Sequence, residues 1–237
     1  MTQRIKILYR DALICAAVKP AGVLSEEDGG KGMPERLAAA LGLKDGEVCP
    51  VHRLDKDTGG VMVYALTRRS AAALSESIRN GAFDKRYLAA VSGTLEEKEG
   101  EWRDLLYHDP FKNRSYTVKR MRRGVREAIL LYRAVSSFGA GEGYPAGEVL
   151  DIRLVTGRTH QIRVQCASRG HPLLGDRRYG SPCDVPMALW CREISFPHPK
   201  DGKNVTFSCP PEEGSLLRAL TEDGGQPETG DGDRAES

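Results

Sequence analysis

No stretch of this 237-residue chain approaches the roughly 18 consecutive apolar residues of a membrane-spanning helix. The N-terminus, Met1-Thr2-Gln3-Arg4-Ile5-Lys6, has no apolar core of signal-peptide length behind it. No membrane partner is therefore expected, and the cytosol is the expected compartment. The six cysteines, Cys15, Cys49, Cys166, Cys183, Cys191 and Cys209, include no C-x-x-C pair and no zinc-finger spacing with histidine. Without an export signal, reduced and mostly buried thiols are expected rather than a disulfide framework. The sequence also lacks an H-E-x-x-H metal motif, an internal repeat, and a long linker before residue 210.

What is present is an ordinary globular balance, 40% hydrophobic and 29% charged, long enough for one substantial core. The net charge of +2 is unevenly placed: from Thr221 onward six acidic residues face Arg234 alone, which leaves residues 1–220 at +7. A basic body suits a phosphate-bearing partner. Residues 221–237 carry almost no apolar side chain, and an acidic, disordered tail is expected there. The folded domain is expected over residues 1–215.

Segments 5–9, 13–18, 85–92, 129–135 and 149–155 read as strands, as does the apolar run Val61–Leu66. Glu47–Leu54 reads as a short strand leading into a loop. Residues 193–196 and 204–209 flank Asp201-Gly202, a hairpin-turn dipeptide. Helices are predicted over Pro34–Leu41, from Thr67 as cap to Asn80-Gly81, and over Thr159–Arg169. Strands outnumber helices without alternating with them, which predicts an α+β fold with a largely antiparallel mixed sheet core and flanking helices.

Three short stretches carry chemistry. His52-Arg53-Leu54-Asp55-Lys56-Asp57-Thr58-Gly59-Gly60 gathers a histidine, an arginine and two carboxylates in a loop between strands. It could be a solvated turn, an acid/base pair, or, with His160, the donor set of a metal-dependent hydrolase. Thr156-Gly157-Arg158-Thr159-His160-Gln161-Ile162-Arg163 runs from a strand into a helix, whose first turn favours an anion. In Asp84-Lys85-Arg86-Tyr87-Leu88, a strand would put Lys85 and Tyr87 on one face, an aromatic beside a cation. A fourth feature is basic: Lys112, Arg114, Lys119, Arg120, Arg122, Arg123, Arg126 and Arg133 fall within 22 positions that contain one acid, Glu127. That stretch reads either as a solvated loop or as a clamp for RNA phosphates.

Together these blocks resemble the RluA family of pseudouridine synthases, whose pattern is His-Arg-Leu-Asp, two variable residues, then Thr-Ser-Gly. Gly59 replaces the serine here, which touches only local loop contacts. Gly157–Val164, Gly170–Asp176, Tyr179-Gly180, Lys85-Arg86-Tyr87 and Lys19-Pro20-Ala21-Gly22 match further family blocks in order and spacing, covering about Leu13 to Pro210. The resemblance implies an RNA isomerase with Asp55 as nucleophile, Arg163 as its ion-pair partner and Tyr87 against the target uracil. It implies that Arg53 fills the space left by the flipped nucleotide, with Lys85, Arg158, His160, Lys119, Arg120, Arg122 and Arg123 as further RNA contacts.

The implied reaction cleaves N1–C1′ and joins C5 to C1′, so it requires no redox cofactor and no metal. Direct attack at C1′, addition to the uracil, and assistance through a glycal all use an ionised aspartate. The implied partner is ribosomal or transfer RNA, not DNA, and a monomer is expected that recognises RNA without an additional N-terminal domain. The alternative of another class is a catalytically silent RNA-binding protein on the same fold.

Overall fold

The computed structural model of the protein describes residues 5–222. Eleven strands form one sheet: β1 Lys6–Arg10, β2 Ile14–Lys19, β3 Cys49–Pro50, β4 Gly59–Ala65, β5 Asp84–Ser92, β6 Glu99–Asp109, β7 Arg114–Val118, β8 Val125–Phe138, β9 Gly147–Leu154, β10 Leu189–Pro197 and β11 Asn204–Ser208. The helices are α1 Met33–Leu41, α2 Arg68–Arg79, α3 Gln161–Ser168 and α4 Leu216–Glu222, with a 3-10 turn at Arg177–Tyr179. The spatial order is β1-β2-β4-β10-β5-β9-β8-β6-β7, with β3 added on β4 and β11 on β10. Every pairing is antiparallel except that of β4 with β10. The α+β reading of the sequence is thus the observed architecture.

The apolar runs explain the centre of the sheet. All residues of β2 and β4 are buried, as expected of strands covered on both faces. Helix α2 starts where Thr67 accepts the Ser70 N–H at 3.1 Å and Ser70 reciprocates, closing a capping box. Its buried Leu74 faces β4 and β10. Helix α4 adds Leu217 and Leu220 to the same core.

Four segments differ from the sequence expectation. Only Cys49–Pro50 of the strand expected at 47–54 pairs with β4, because Leu54 is drawn into the core by the turn that follows. Helix α3 begins at Gln161, two residues after the expected Thr159, because His160 takes a left-handed conformation (φ 57°) that no helix accommodates. Residues 99–118 form a β-hairpin, β6–β7, that the sequence reading left unassigned. The basic stretch is consequently largely strand: Arg114 lies in β7, and Arg126 and Arg133 in β8. Of the tail, Thr221 and Glu222 close α4; the disorder expected beyond them falls outside the described residues.

Four strand ends converge over the middle of the sheet. Gly59 of β4 pairs with Trp190 of β10, and Tyr87 of β5 lies between Cys191 of β10 and Ile152 of β9. The chemistry-bearing loops hang from these ends.

Candidate active site

The turn bearing Asp55 is pinned on both sides. Leu54 is buried, and Ser25 Oγ both donates to its carbonyl (2.9 Å) and accepts from its N–H (3.0 Å). This alternation pushes Arg53 and Asp55 outward. The Asp55 carbonyl accepts from the Thr58 N–H at 3.0 Å, and the Lys56 carbonyl accepts from the Gly22 N–H at 2.8 Å. Lys19, fully buried, donates its ammonium to the carbonyls of Lys56 (2.9 Å), Val23 (2.6 Å) and Pro20 (3.0 Å). The Lys19-Pro20-Ala21-Gly22 turn therefore holds the Asp55 loop by the Gly22 N–H and the Lys19 ammonium, both on the Lys56 carbonyl.

Opposite Asp55 stands Arg163, in the first turn of α3 and buried. Its Nη1 lies 3.2 Å from Asp55 Oδ2, while Nε and Nη2 donate to the two oxygens of Asp176 at 2.7 and 2.8 Å. The Tyr179 ring lies 5.2 Å from the guanidinium. Burial works against the charge of Arg163, but the bonds and charge of Asp176, then Asp55, more than offset it and raise its pKa.

His160 completes this wall. Its Nδ1 lies 3.0 Å from the Tyr179 hydroxyl and its Nε2 3.8 Å from Asp55 Oδ2. Burial pushes its pKa down to about 4, against the pull of Asp55 and with the help of Arg163, so it is neutral at pH 7. His52, named with Asp57 and His160 for a metal centre, spends Nε2 on the Val63 N–H at 3.1 Å. Among the described residues no three His, Cys, Asp or Glu side chains are grouped to hold a metal ion.

Tyr87 and Lys85 form the facing wall. Tyr87 is buried, and burial, then Cys191 and Asp55, push its phenol well above the ordinary value. It is a proton donor near neutral pH rather than a base. Burial pushes Lys85 down from its ordinary value. Among the described residues it forms no ion pair, which leaves a desolvated cation facing the cavity. Gly157 makes room for it, since a Cβ there would sit 3.1 Å from Lys85 Nζ.

Asp55, Tyr87, Lys85, His160 and Arg163 line one cavity of about 90 Å³. Arg53, Lys85 and Arg158 continue from it into a groove of about 920 Å³ that also takes in Arg79 and Arg153. Arg53 is exposed, 3.3 Å from Glu26. Arg158 donates Nε to the Glu127 carbonyl at 2.8 Å. Lys119, Arg120, Arg122 and Arg123 are exposed on the β7–β8 loop and line neither the cavity nor the groove; Arg122 lies over the Tyr107 ring at 5.5 Å. Sequence reading assigned no role to Lys19, Asp176 or Tyr179, although all three stand inside the quoted blocks.

Residues 14–168 match the family described as RNA pseudouridylate synthase. The chain is 31% identical to the dual-specificity RNA pseudouridine synthase RluA of Haemophilus influenzae, over 86% of this chain and 92% of that one. It is 32% identical to ribosomal large subunit pseudouridine synthase D of Xanthomonas campestris, over 92% and 70% respectively. The chain belongs to the RluA family of RNA pseudouridine synthases. It is an isomerase that acts on RNA. The fold is also that of human RNA pseudouridylate synthase domain containing 1, with a TM-score of 0.72 at 22% identity over 89% of this chain and 85% of that one. No helix among the described residues of the synthase is long and apolar enough to cross a membrane.

Proposed function

We propose that this synthase isomerises specific uridines of ribosomal RNA, transfer RNA or both, in the cytosol and as a monomer, with Asp55 as nucleophile. The observation that carries the reading is the contact between Asp55 and Arg163, a carboxylate and a guanidinium 3.2 Å apart in a cavity shared with Tyr87. Arg163 aims the carboxylate into the cavity that Tyr87 also lines. The buried phenol of Tyr87 offers a flat face and a proton to the uracil. Lys85, unpaired and desolvated, suits a uracil carbonyl or a phosphate. Arg53 stands exposed at the mouth, where it can fill the gap left in the RNA by a flipped nucleotide. The catalytic unit in this reading is the expected 1–215 extended through α4 to Glu222, because Leu217 and Leu220 join its core. The relatives' names, ribosomal large subunit in Xanthomonas and dual-specificity in Haemophilus, support ribosomal RNA and more than one specificity.

The test is pseudouridine mapping across all RNA of cells lacking the protein, rescued by wild type or by Asp55→Asn. Sites that vanish and return only with wild type establish the activity, the substrate and the need for Asp55. Purified wild type that forms no pseudouridine in RNA from the deletion strain overturns the reading. The basic loop is tested apart: replacing Lys119, Arg120, Arg122 and Arg123 by glutamine flattens the salt dependence of RNA binding if they touch phosphates, and leaves it unchanged if they do not.

A further inference from the structure

The β6–β7 hairpin ends in the four residues Pro110-Phe111-Lys112-Asn113, and at its tip Phe111 is 99% exposed. Single exposed apolar side chains are common, but this one is displayed by a built turn. Asp109 Oδ1 accepts the N–H groups of Phe111 (3.0 Å) and Lys112 (3.1 Å), Pro110 fixes its own φ, and Asn113 takes the left-handed conformation (φ 44°). The ring stands in water because the backbone holds it there.

The same hairpin is fastened to the catalytic wall. Ser115 donates its N–H to the Tyr179 hydroxyl at 2.7 Å and its Oγ–H to the Thr159 carbonyl at 2.6 Å. Arg178 Nη1 donates to the carbonyls of Lys112 (3.2 Å) and Asn113 (3.1 Å). Thr159 precedes His160 in sequence and the Tyr179 hydroxyl lies 3.0 Å from its Nδ1, so the tip is held at a fixed offset from Asp55. A groove lined by His108, Ser115, Arg126 and Arg158 runs between hairpin and site and shares Gly157, Arg158 and Thr159 with the catalytic cavity.

The turn that carries the ring is basic: Lys112 follows Phe111, Arg114 opens β7, Arg178 binds the turn's backbone, and the acid of the turn, Asp109, is engaged by its N–H groups. An exposed aromatic set among cations meets the two needs of single-stranded nucleic acid, a face for a base and charge for the phosphates. A second copy of this chain would bring like charge to the same spot.

We propose that Phe111 is a stacking platform for an unpaired nucleobase of the substrate RNA, set at a fixed distance from Asp55. This rests on the RNA-isomerase reading and deepens it. The hairpin acts as a gauge that favours uridines with an unpaired base at the matching offset, and base identity matters little because every base offers a π face.

The experiment titrates the full-length protein into RNA stem-loops that carry one 2-aminopurine, moved stepwise through the unpaired loop. Wild type quenches the fluorophore at one or two loop positions. Phe111→Ala abolishes that quench and weakens binding on the order of tenfold, with an unchanged salt slope, because no charge is removed. Phe111→Tyr and Phe111→Trp keep the quench. An unchanged thermal midpoint for Phe111→Ala excludes a folding effect. The proposal is overturned if wild type quenches at no position, if Phe111→Ala binds as tightly as wild type, or if Phe111→Leu serves as well as Phe111→Tyr. Self-association that depends on Phe111 at unaltered RNA affinity also overturns it. The readout needs no turnover, so a protein that stacks the base yet forms no pseudouridine overturns the functional reading instead.

Discussion

Arg163 and Asp176 are joined by two near-parallel hydrogen bonds, 2.7 and 2.8 Å long, between groups that are almost wholly buried. That fork leaves Nη1 as the guanidinium edge turned toward Asp55 at 3.2 Å. With Asp55 as the proposed nucleophile, Asp176 would act on the reaction through Arg163. Asp176→Asn should lower the single-turnover rate by about 10²-fold while RNA affinity changes little, and should cost about 3–5 kcal/mol of stability as a buried pair is broken. Single-turnover kinetics beside binding isotherms check this; equal losses in rate and affinity would place Asp176 elsewhere in the scheme.

Asp55→Asn tests the nucleophile with the wall intact, since Arg163 keeps both bonds to Asp176. The variant should fold normally, bind RNA within about threefold of wild type, and lose at least about 10³-fold in rate. Retention of a tenth of the activity would remove Asp55 from the reacting role.

Lys19 offers a structural counterpart. Lys19→Met removes the donor for three backbone carbonyls, those of Pro20 and Val23 in buried bonds, and should cost about 2–4 kcal/mol in urea melts. Activity should fall beyond what stability explains, because one of those carbonyls belongs to Lys56, next to Asp55. A variant as stable as wild type would show that the loop needs no such clamp.

Asp55, Tyr87 and Arg163 were legible as candidates because their short windows, taken together in order and spacing, resemble the family's blocks, although each window alone also fitted a solvated turn, a capped helix or a core tyrosine. The partners that orient them were not, because contact between Arg163 and Asp176, or Tyr179 and His160, depends on how α3 and the following turn fold back. The β6–β7 hairpin was hidden for another reason. In β6 the buried side chains are Trp102 and Leu106, four apart, and between them the same face carries the half-buried, polar Asp104 and the opposite face the half-buried Leu105, which obscures the two-residue apolar period of a strand. The left-handed His160 had no local signature at all.

Gly59 was legible only as a departure from the family pattern. In the fold, a Cβ at Gly59 would lie 2.4 Å from the Trp190 ring, whose Nε1 is tied to the Cys209 carbonyl at 2.8 Å. The glycine accommodates a core tryptophan rather than a loop contact. Gly59→Ser should therefore destabilise by about 1–3 kcal/mol through overpacking, and Gly59→Ser with Trp190→Leu should recover most of it. Additive losses in the double variant, measured by denaturant melts, would show that the two positions are independent.

Acid should unfold the synthase earlier than carboxylate titration alone dictates. His160 has its pKa depressed to about 4 and His52 to about 3, in both cases first by burial. The unfolded chain takes up protons near pH 6.5 that the folded chain refuses, so stability is fully present above about 6.5 and is lost as the pH falls toward 4. His160 alone accounts for about 2 kcal/mol by pH 5. Urea midpoints should thus decline steadily between pH 6.5 and 5, a range in which ordinary carboxylates remain ionised. His160→Asn, which suits the left-handed backbone, should flatten part of that decline. A midpoint constant from pH 6.5 to 5 would mean that both imidazoles are solvated enough to protonate without cost, and that the wall beside Asp55 is looser than its hydrogen bonds imply.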